Sequence, residues 1–295
     1  MLTNIHIAVI GGDARQLEVI KKLVEYDAKV SLVGFDLLEH ALLGVGKCTI
    51  NEIQFSTVDA VLLPVPGVNL QGEIETVFSN EKIVLTKEIL DATPTHCTIY
   101  SGISNSKLDE LVNDSNRKLV CLFERDDVAI FNAIPTVEGT IMMVIQNTDI
   151  TIHNSNVMVL GLGRVGLSVA RVFTALGAKV SVGVRRSEHY ARAFEMGFEP
   201  FYLHELKSRV PNIDVCINTV PSMIVNAEVI SLMPSHTLIV DLASKPGGTD
   251  FRYAEKRGIH ALLAPGLPGI VAPKTAGQIL AKVVCQLLQE QQDAK

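Results

Sequence analysis

The stretch Val157-Met-Val-Leu-Gly-Leu-Gly-Arg-Val-Gly166 decides the fold of the chain. Its apolar first half is typical of a buried strand, and its three glycines have the G-x-G-x-x-G spacing of a dinucleotide-binding turn. A predicted helix with one apolar face follows, Gly177 ends it, and a second strand is predicted at Lys179–Val184. The helix N-terminus in such a unit attracts a pyrophosphate. We therefore predict a Rossmann domain whose cofactor contacts are Gly161, Leu162, Gly163, Arg164, Val165 and Gly166.

The end of the second predicted strand indicates which dinucleotide is bound. NAD enzymes usually place an acidic residue there, against the ribose 2′-hydroxyl. This chain instead has Arg185, Arg186 and Ser187, and two guanidiniums with a hydroxyl suit a 2′-phosphate. We therefore expect NADP as the cofactor. The alternative is a pair of solvated arginines beside Glu188.

A similar turn near the start of the chain lacks the glycine spacing. The apolar run Ile7–Ile10 leads into Gly11-Gly12, and Asp36 follows a second predicted strand, as in a nucleotide-binding fold. The next residues, Asp13-Ala-Arg-Gln16, supply neither the second nor the third glycine in register. We interpret this segment as a structural βα turn, with Asp13 capping a helix; a role facing the substrate is the less favoured alternative.

The rest of the chain alternates short apolar runs with amphipathic segments, a pattern that predicts parallel sheets covered by helices. With 295 residues the chain has room for two domains, which we place at residues 1–134 plus 273–295 and at residues 135–272. We expect a helix from about Pro135 to Gln146, with Pro135 in its first turn, and a last helix from about Thr275 to Gln289. The further strand candidates are Ile5–Ile10, Lys29–Val33, Asp59–Leu63, Thr98–Tyr100, Lys118–Phe123, Asn156–Leu160, Val215–Asn218, Leu238–Asp241 and Ile259–Leu262.

Loops rich in glycine and proline follow several predicted strands. Ligands of open parallel sheets bind at the carboxyl ends of strands, so these loops are expected to line one cleft between the domains. The loop of Thr219, Val220 and Pro221 is expected to contact the cofactor. Lys245 and Lys274 are the cations best placed for an anionic substrate. The hydrogen-bond donors expected beside them are Ser101, Ser244 and Thr275.

Two residues are candidates for catalysis. Lys245 can transfer a proton if it is desolvated. Glu138 falls in the first turn of the expected linker helix, where it is either a catalytic carboxylate or only a favourable charge for the helix dipole. No H-E-x-x-H, metal-ligand pair or G-x-S-x-G sequence occurs, which disfavours metal hydrolysis and serine-type acyl transfer.

Composition narrows the function classes further. Lys and Arg number 26 against 32 Asp and Glu, so the net charge of −6 disfavours nucleic acid as a partner. Five scattered cysteines without a C-x-x-C pair are typical of reduced core thiols. The first residues do not resemble a signal peptide, and no apolar run approaches about 18 residues. We expect a soluble, cytoplasmic protein without a membrane partner or a metal.

Several segments together resemble the family of the dipicolinate synthase A subunit from spore-forming bacteria. The dinucleotide turn is shared by many enzymes, but the other segments in this order are more specific, and the resemblance covers essentially the whole chain. The segments are Ile7-Ala-Val-Ile-Gly-Gly-Asp-Ala-Arg15, Asn132-Ala-Ile-Pro-Thr-Val-Glu-Gly139, Gly161-Leu-Gly-Arg-Val-Gly166, Asp241-Leu-Ala-Ser-Lys-Pro-Gly-Gly248, Ala264-Pro-Gly-Leu-Pro-Gly269 and Ala272-Pro-Lys-Thr-Ala-Gly277.

The resemblance implies an NADP-dependent oxidoreductase that forms dipicolinate from dihydrodipicolinate, a small dicarboxylate, in the mother cell during sporulation. It implies a second subunit that resembles a flavoprotein, and we also expect a homo-oligomer. It further implies two doubly wound α/β domains: a flavodoxin-like first domain, completed by the last helix, and a Rossmann domain. Two other classes stay open: another NADP-dependent dehydrogenase of hydroxy or amino acids, and a non-catalytic dinucleotide-binding regulatory subunit.

Overall fold

The computed structural model describes residues 1–38 and 45–293. The chain divides into two compact units, each with its own parallel sheet and apolar core. The first unit consists of Met1–Ala129 and Pro273–Lys295, and the second unit consists of Ile130–Ala272.

The first unit contains one main parallel sheet and a short antiparallel pair of strands. Its elements begin with β1 (His6–Ile10), α1 (Ala14–Glu25), β2 (Lys29–Val33), β3 (Val45–Lys47), β4 (Ala60–Leu62), β5 (Glu73–Ile74), β6 (Ile83–Val84), α2 (Lys87–Asp91), β7 (Thr98–Ser101), α3 (Ser106–Asp114) and β8 (Lys118–Cys121).

The second unit contains one parallel sheet with helices between its strands. A long helix, α4 (Asp126–Asn147), leads into it from the first unit. The elements that follow are β9 (Asn156–Leu160), α5 (Arg164–Ala175), β10 (Lys179–Val184), α6 (Ser187–Glu195), β11 (Glu199–Tyr202), α7 (Leu206–Arg209), β12 (Val215–Asn218), α8 (Ala227–Ser231), β13 (Leu238–Asp241), α9 (Phe251–Lys256), β14 (His260–Leu263) and α10 (Leu267–Val271), before α11 (Pro273–Asp293) returns to the first unit.

Both sheets have the same strand order. Among the described residues the first sheet runs β3-β2-β1-β4-β7-β8 and the second runs β11-β10-β9-β12-β13-β14. This is the doubly wound order 3-2-1-4-5-6, in which the order reverses beside the first strand. Without the three-residue edge strand β3, the first sheet has the flavodoxin-like order 2-1-3-4-5. The predicted fold class is therefore confirmed.

Helix α11 completes the core of the first unit by packing on α1. Leu280, Val284 and Leu288 are buried in the same apolar cluster as Ile20 and Leu23 of α1. The helix is longer at both ends than the segment predicted from its apolar face. Near its start, a glycine lies directly against the first turn of α1, so the two helices approach each other closely there.

The βα turn of the first unit is filled by the chain's own backbone. The Gly12 amide donates to the Glu75 carbonyl at 2.9 Å, and the Val77 amide donates to the Gly12 carbonyl at 3.0 Å. A Cβ on Gly11 would lie 2.6 Å from Cγ2 of Ile74. Asp13 caps α1 in a capping box with Gln16. These contacts support the interpretation of this segment as a structural turn, and a pocket of about 420 Å³, lined in part by Gly12, Asp13 and Arg15, opens beside it.

The observed helix α4 starts earlier than the linker helix expected from the sequence. It begins at Asp126, nine residues before Pro135, so Pro135 lies inside the helix and Glu138 is not in its first turn. Two aspartates in the first turn favour this start, because they face the positive end of the helix dipole. The Thr136 hydroxyl donates to the Asn132 carbonyl at 2.7 Å, one turn back around the proline. The dipole alternative for Glu138 is therefore wrong.

Among the described residues, α4 is the one helix long and apolar enough to cross a membrane, judged by length and composition alone. Core helices of soluble proteins pass the same test. Val137 and Val144 of α4 are buried in the apolar core of the second unit, so this face of the helix is accounted for by packing.

Candidate functional site: the glycine turn and its pocket

The glycine turn of the second unit begins where β9 ends. Gly161 has φ of +95°, a conformation that L side chains rarely adopt. The Thr219 hydroxyl, from the loop after β12, donates to the Leu160 carbonyl at 2.8 Å. A Cβ on Gly161 would lie 2.6 Å from Thr219 Oγ1. The loop after β12 is thus held directly against the turn.

The two remaining glycines of the turn have different surroundings. A Cβ on Gly166 would lie 2.1 Å from the Gly161 carbonyl oxygen, so α5 can approach β9 only through a glycine. At Gly163, no atom of the described chain beyond its immediate neighbours lies within 4 Å of a Cβ position. Gly163 is the N-cap of α5 and has no side-chain cap. The turn therefore offers open space and uncapped amides, which fit a pyrophosphate.

A pocket of about 470 Å³ opens above this turn. It lies where the loops after β9 and β12 meet, beside the reversal of strand order, which is the expected position for a ligand in an open α/β sheet. Its lining residues are Gly161, Leu162, Gly163, Gly183, Val184, Arg185, Arg186, His189, Leu203, Thr219, Val220, Pro221, Ser222 and Ile224. The structure thus brings three predicted segments of the cofactor site together.

Four of the predicted cofactor residues, Arg164, Val165, Gly166 and Ser187, are absent from the lining of this pocket, as far as the described chain shows. Arg164 and Val165 lie in the first turn of α5, directly after Gly163. Ser187 is the first residue of α6 and is exposed. Leu162 lines the pocket but is largely buried in the core of the unit.

The sequence interpretation missed several lining residues, of which His189 is the most polar. The histidine is half-buried and lines the pocket. Its ring nitrogen Nε2 lies 2.9 Å from Nη2 of Arg186. The signal in the sequence was the i, i+3 spacing of Arg186 and His189 at the start of a helix.

A buried carboxylate fixes the loop that bears Lys245. Asp241 is fully buried and accepts hydrogen bonds from the Asn218 side chain, the Thr249 hydroxyl and two backbone amides. A Cβ on Gly248 would lie 2.4 Å from the Val220 carbonyl oxygen. The loop after β13 is therefore packed on the cofactor loop after β12, and it leaves Ser244 and Lys245 exposed.

The other predicted site residues lie elsewhere. Lys274 and Thr275 are exposed in the first turn of α11, in the first unit, and Lys274 interacts electrostatically with Glu18 of α1. Glu138 is exposed on α4 and is absent from the lining of the pocket. Ser101 is fully buried, and its hydroxyl donates to the Ile103 carbonyl at 2.7 Å. Its predicted role in substrate binding therefore has no support in the structure.

Thiol and metal chemistry have little basis near this site. Burial, with a contribution from the Asp241 carboxylate, raises the pKa of the Cys216 thiol in β12 to about 12, so the thiol stays protonated. In residues 1–38 and 45–293, no group of three His, Cys, Asp or Glu side chains is arranged to hold a metal ion.

The doubly wound sheet and the open glycine turn are those of the dinucleotide-binding domain found in nicotinamide-dependent dehydrogenases. Residues 129–295 match the family described as alanine dehydrogenase/PNT, C-terminal domain, and residues 6–123 match the N-terminal domain of the dipicolinate synthase A subunit. The chain belongs to the family of this dipicolinate synthase subunit.

Two similar proteins are A subunits of dipicolinate synthase, and a third protein shares only the fold. The dipicolinate synthase A subunit of Bacillus subtilis (strain 168) is 62% identical over 290 residues, which is 98% of each chain. The crystal structure of the same subunit from Bacillus halodurans has a TM-score of 0.96 at 62% identity and covers 98% of this chain and 99% of its own. A transhydrogenase from Sinorhizobium meliloti shares the fold, with a TM-score of 0.68 at 15% identity, covering 96% of this chain and 94% of its own.

Proposed function

We propose that this chain oxidises dihydrodipicolinate to dipicolinate with NADP⁺, as one subunit of a dipicolinate synthase. The observation that carries the proposal is the position of Arg185 and Arg186 on the wall of a pocket above an open glycine turn, in a chain of this family. The relatives are named as one subunit of their enzyme, which implies a complex. We propose a flavoprotein-like second subunit, homo-oligomers, and the cytoplasm of the sporulating mother cell as its setting.

The proposed reaction removes a hydride and a proton from the dihydropyridine ring, which becomes aromatic and keeps both carboxylates. The bound nicotinamide supplies the hydride acceptor. In this chain, the uncapped amides at the start of α5 would hold the pyrophosphate of the cofactor, and Arg185 and Arg186 would hold its 2′-phosphate. Aromatisation is itself favourable, so positioning contributes more than a strong base.

Lys245 and Lys274 are proposed to bind the substrate carboxylates. Both ammonium groups are exposed, and Ser244 and Thr275 place an exposed hydroxyl beside each of them in the sequence. The Asp241 network makes the Lys245 loop rigid next to the cofactor loop, as ligand positioning requires. The ring proton passes to water or to a protein group, for which Lys245 and Glu138 are the candidates.

Cofactor selectivity is tested by binding. The dissociation constants of NADPH and NADH are measured by nicotinamide fluorescence for the wild type and for Arg185→Ala/Arg186→Ala. Loss of two charge-assisted contacts is expected to weaken NADPH binding by at least about tenfold and to leave NADH binding nearly unchanged. Arg192→Ala, which changes an exposed arginine of α6, is the control. An unchanged preference in the double variant contradicts the assignment.

The reaction is tested by following NADPH and dipicolinate formation with the purified chain, first alone and then with the second subunit. Turnover in either case supports an enzyme, whereas none in either case favours a non-catalytic regulatory subunit. Lys245→Ala and Lys274→Ala are each expected to lower kcat/KM by about tenfold or more, since each removes a charged partner of a carboxylate. Lys207→Ala, an exposed lysine paired with Glu228, is the control. Near-normal kcat/KM in both variants removes the assignment.

A further inference from the structure

Arg186 already has an anionic partner in the protein itself. Its Nε lies 3.1 Å from Oε1 of Glu188, which is the second residue of α6. On the same edge of this guanidinium, Nη2 lies 2.9 Å from Nε2 of His189. Because arginine only donates hydrogen bonds, the His189 nitrogen accepts this one. A carboxylate therefore occupies one edge of a group that we assign to the 2′-phosphate.

The ion pair is easily displaced. The side chains of Arg186 and Glu188 are 58% and 61% exposed, and exposed pairs contribute little to stability. A phosphate dianion carries more charge than a carboxylate and has three acceptor oxygens, so it binds a guanidinium more strongly than Glu188 does. If Glu188 stayed in place, its negative charge would stand beside the incoming phosphate and repel it.

We propose that Glu188 occupies the Arg186 guanidinium in the nucleotide-free protein and is displaced by the 2′-phosphate. Glu188 thereby sets how strongly the chain prefers NADP(H) over NAD(H), while His189 stays hydrogen-bonded to Nη2 on the same edge of the guanidinium. NAD(H) has no 2′-phosphate and leaves the pair intact. The inference rests on the proposed function, because it requires Arg186 to bind this phosphate.

The test compares Glu188→Gln with Glu195→Gln. Both substitutions remove one carboxylate from an exposed arginine–glutamate pair on α6, but the Arg192–Glu195 pair lies outside the pocket in the described chain. Glu188→Gln is expected to tighten NADPH binding by about threefold, the scale that exposed charge pairs reach, and to leave NADH binding unchanged. The same gain is expected for 2′,5′-ADP, which carries the phosphate without the nicotinamide. Glu195→Gln should change neither constant.

A second comparison distinguishes displacement of Glu188 from a direct electrostatic effect of its charge on the bound phosphate. In an Arg186→Ala background, Glu188→Gln should no longer affect NADPH binding, because this variant lacks the guanidinium for which Glu188 and the 2′-phosphate compete. Tighter NADPH binding that persists in this background overturns the proposal, as does weaker or unchanged NADPH binding in Glu188→Gln alone. A wild type without preference for NADPH, together with an unaffected Arg185→Ala/Arg186→Ala variant, instead overturns the proposed cofactor.

Discussion

Gly163 and Gly166 lie three residues apart in one turn, and each lacks a side chain for a different reason. Gly166 lies against the Gly161 carbonyl, so its missing side chain is required by the protein's own packing. Gly163 faces space that the described chain leaves open, so its missing side chain matters for what enters that space. We therefore assign Gly166 to stability and propose that Gly163 serves binding.

Single alanine substitutions separate these two roles. Gly166→Ala is expected to destabilise the second unit by more than about 2 kcal/mol, because the new methyl overlaps a backbone oxygen. Gly163→Ala is expected to cost about 1 kcal/mol or less, yet to weaken NADPH binding by about tenfold or more. Urea unfolding followed by circular dichroism, with NADPH titration of each variant, measures both effects. A Gly163→Ala protein with normal NADPH affinity contradicts this division.

At the scale of elements, the sequence predicted buried strands well. Lys179–Val184, Val215–Asn218 and Leu238–Asp241 were predicted with the bounds found in the structure, because a strand buried on both faces is a continuous apolar run. β11 was missed, since Pro200 interrupts its pattern. The start of α4 was predicted wrongly because proline is common in the first turn of a helix, which is where Pro135 was placed. In the structure Pro135 lies inside the helix instead.

What local patterns could not predict depends on contacts distant in sequence. The backbone of Glu75 fills the glycine turn of the first unit, and no local signal links it to Gly12. Likewise, Ser101 lies at the carboxyl end of β7, where ligand-binding residues are expected, but its hydroxyl donates to the nearby Ile103 carbonyl. The glycine spacing predicted the cofactor turn because there the chemistry is entirely local.

The contact between α1 and α11 provides a test at this scale. A Cβ on Gly277 would lie 2.5 Å from the Arg15 carbonyl oxygen and 2.9 Å from Cβ of Glu18. Alanine gains about 1 kcal/mol of helix propensity, but the overlap costs more, so Gly277→Ala is expected to destabilise the first unit by about 1–2 kcal/mol. Gly46→Ala is the control, since nothing in the described chain lies within 4 Å of that Cβ position. Equal urea midpoints for the two variants count against this close contact.

At the scale of the whole molecule, two units of the same strand order have unequal roles. Both sheets reverse their order beside the first strand, where ligands of this fold bind. In the first unit the backbone of Glu75 and Val77 bonds to Gly12 and the pocket of about 420 Å³ lies beside the turn, whereas in the second unit the space at Gly163 is open. The net charge of −6 does not show that Arg185 and Arg186 lie together at one strand end of the second unit.

Binding of NADPH should therefore stabilise one unit selectively. A ligand at a hundredfold its dissociation constant adds about 2.7 kcal/mol to the stability of the state that binds it, which slows global-opening exchange about a hundredfold. Because each unit has its own core, we expect this slowing at the slowest amides of β9 and β12 but not at those of β1 and β4. Hydrogen exchange with and without NADPH measures both sets in one sample, and Arg185→Ala/Arg186→Ala should show a smaller effect at the same concentration. Equal slowing in both sheets would show that the two cores open as one cooperative unit, and the independence argued from their separate cores would be wrong.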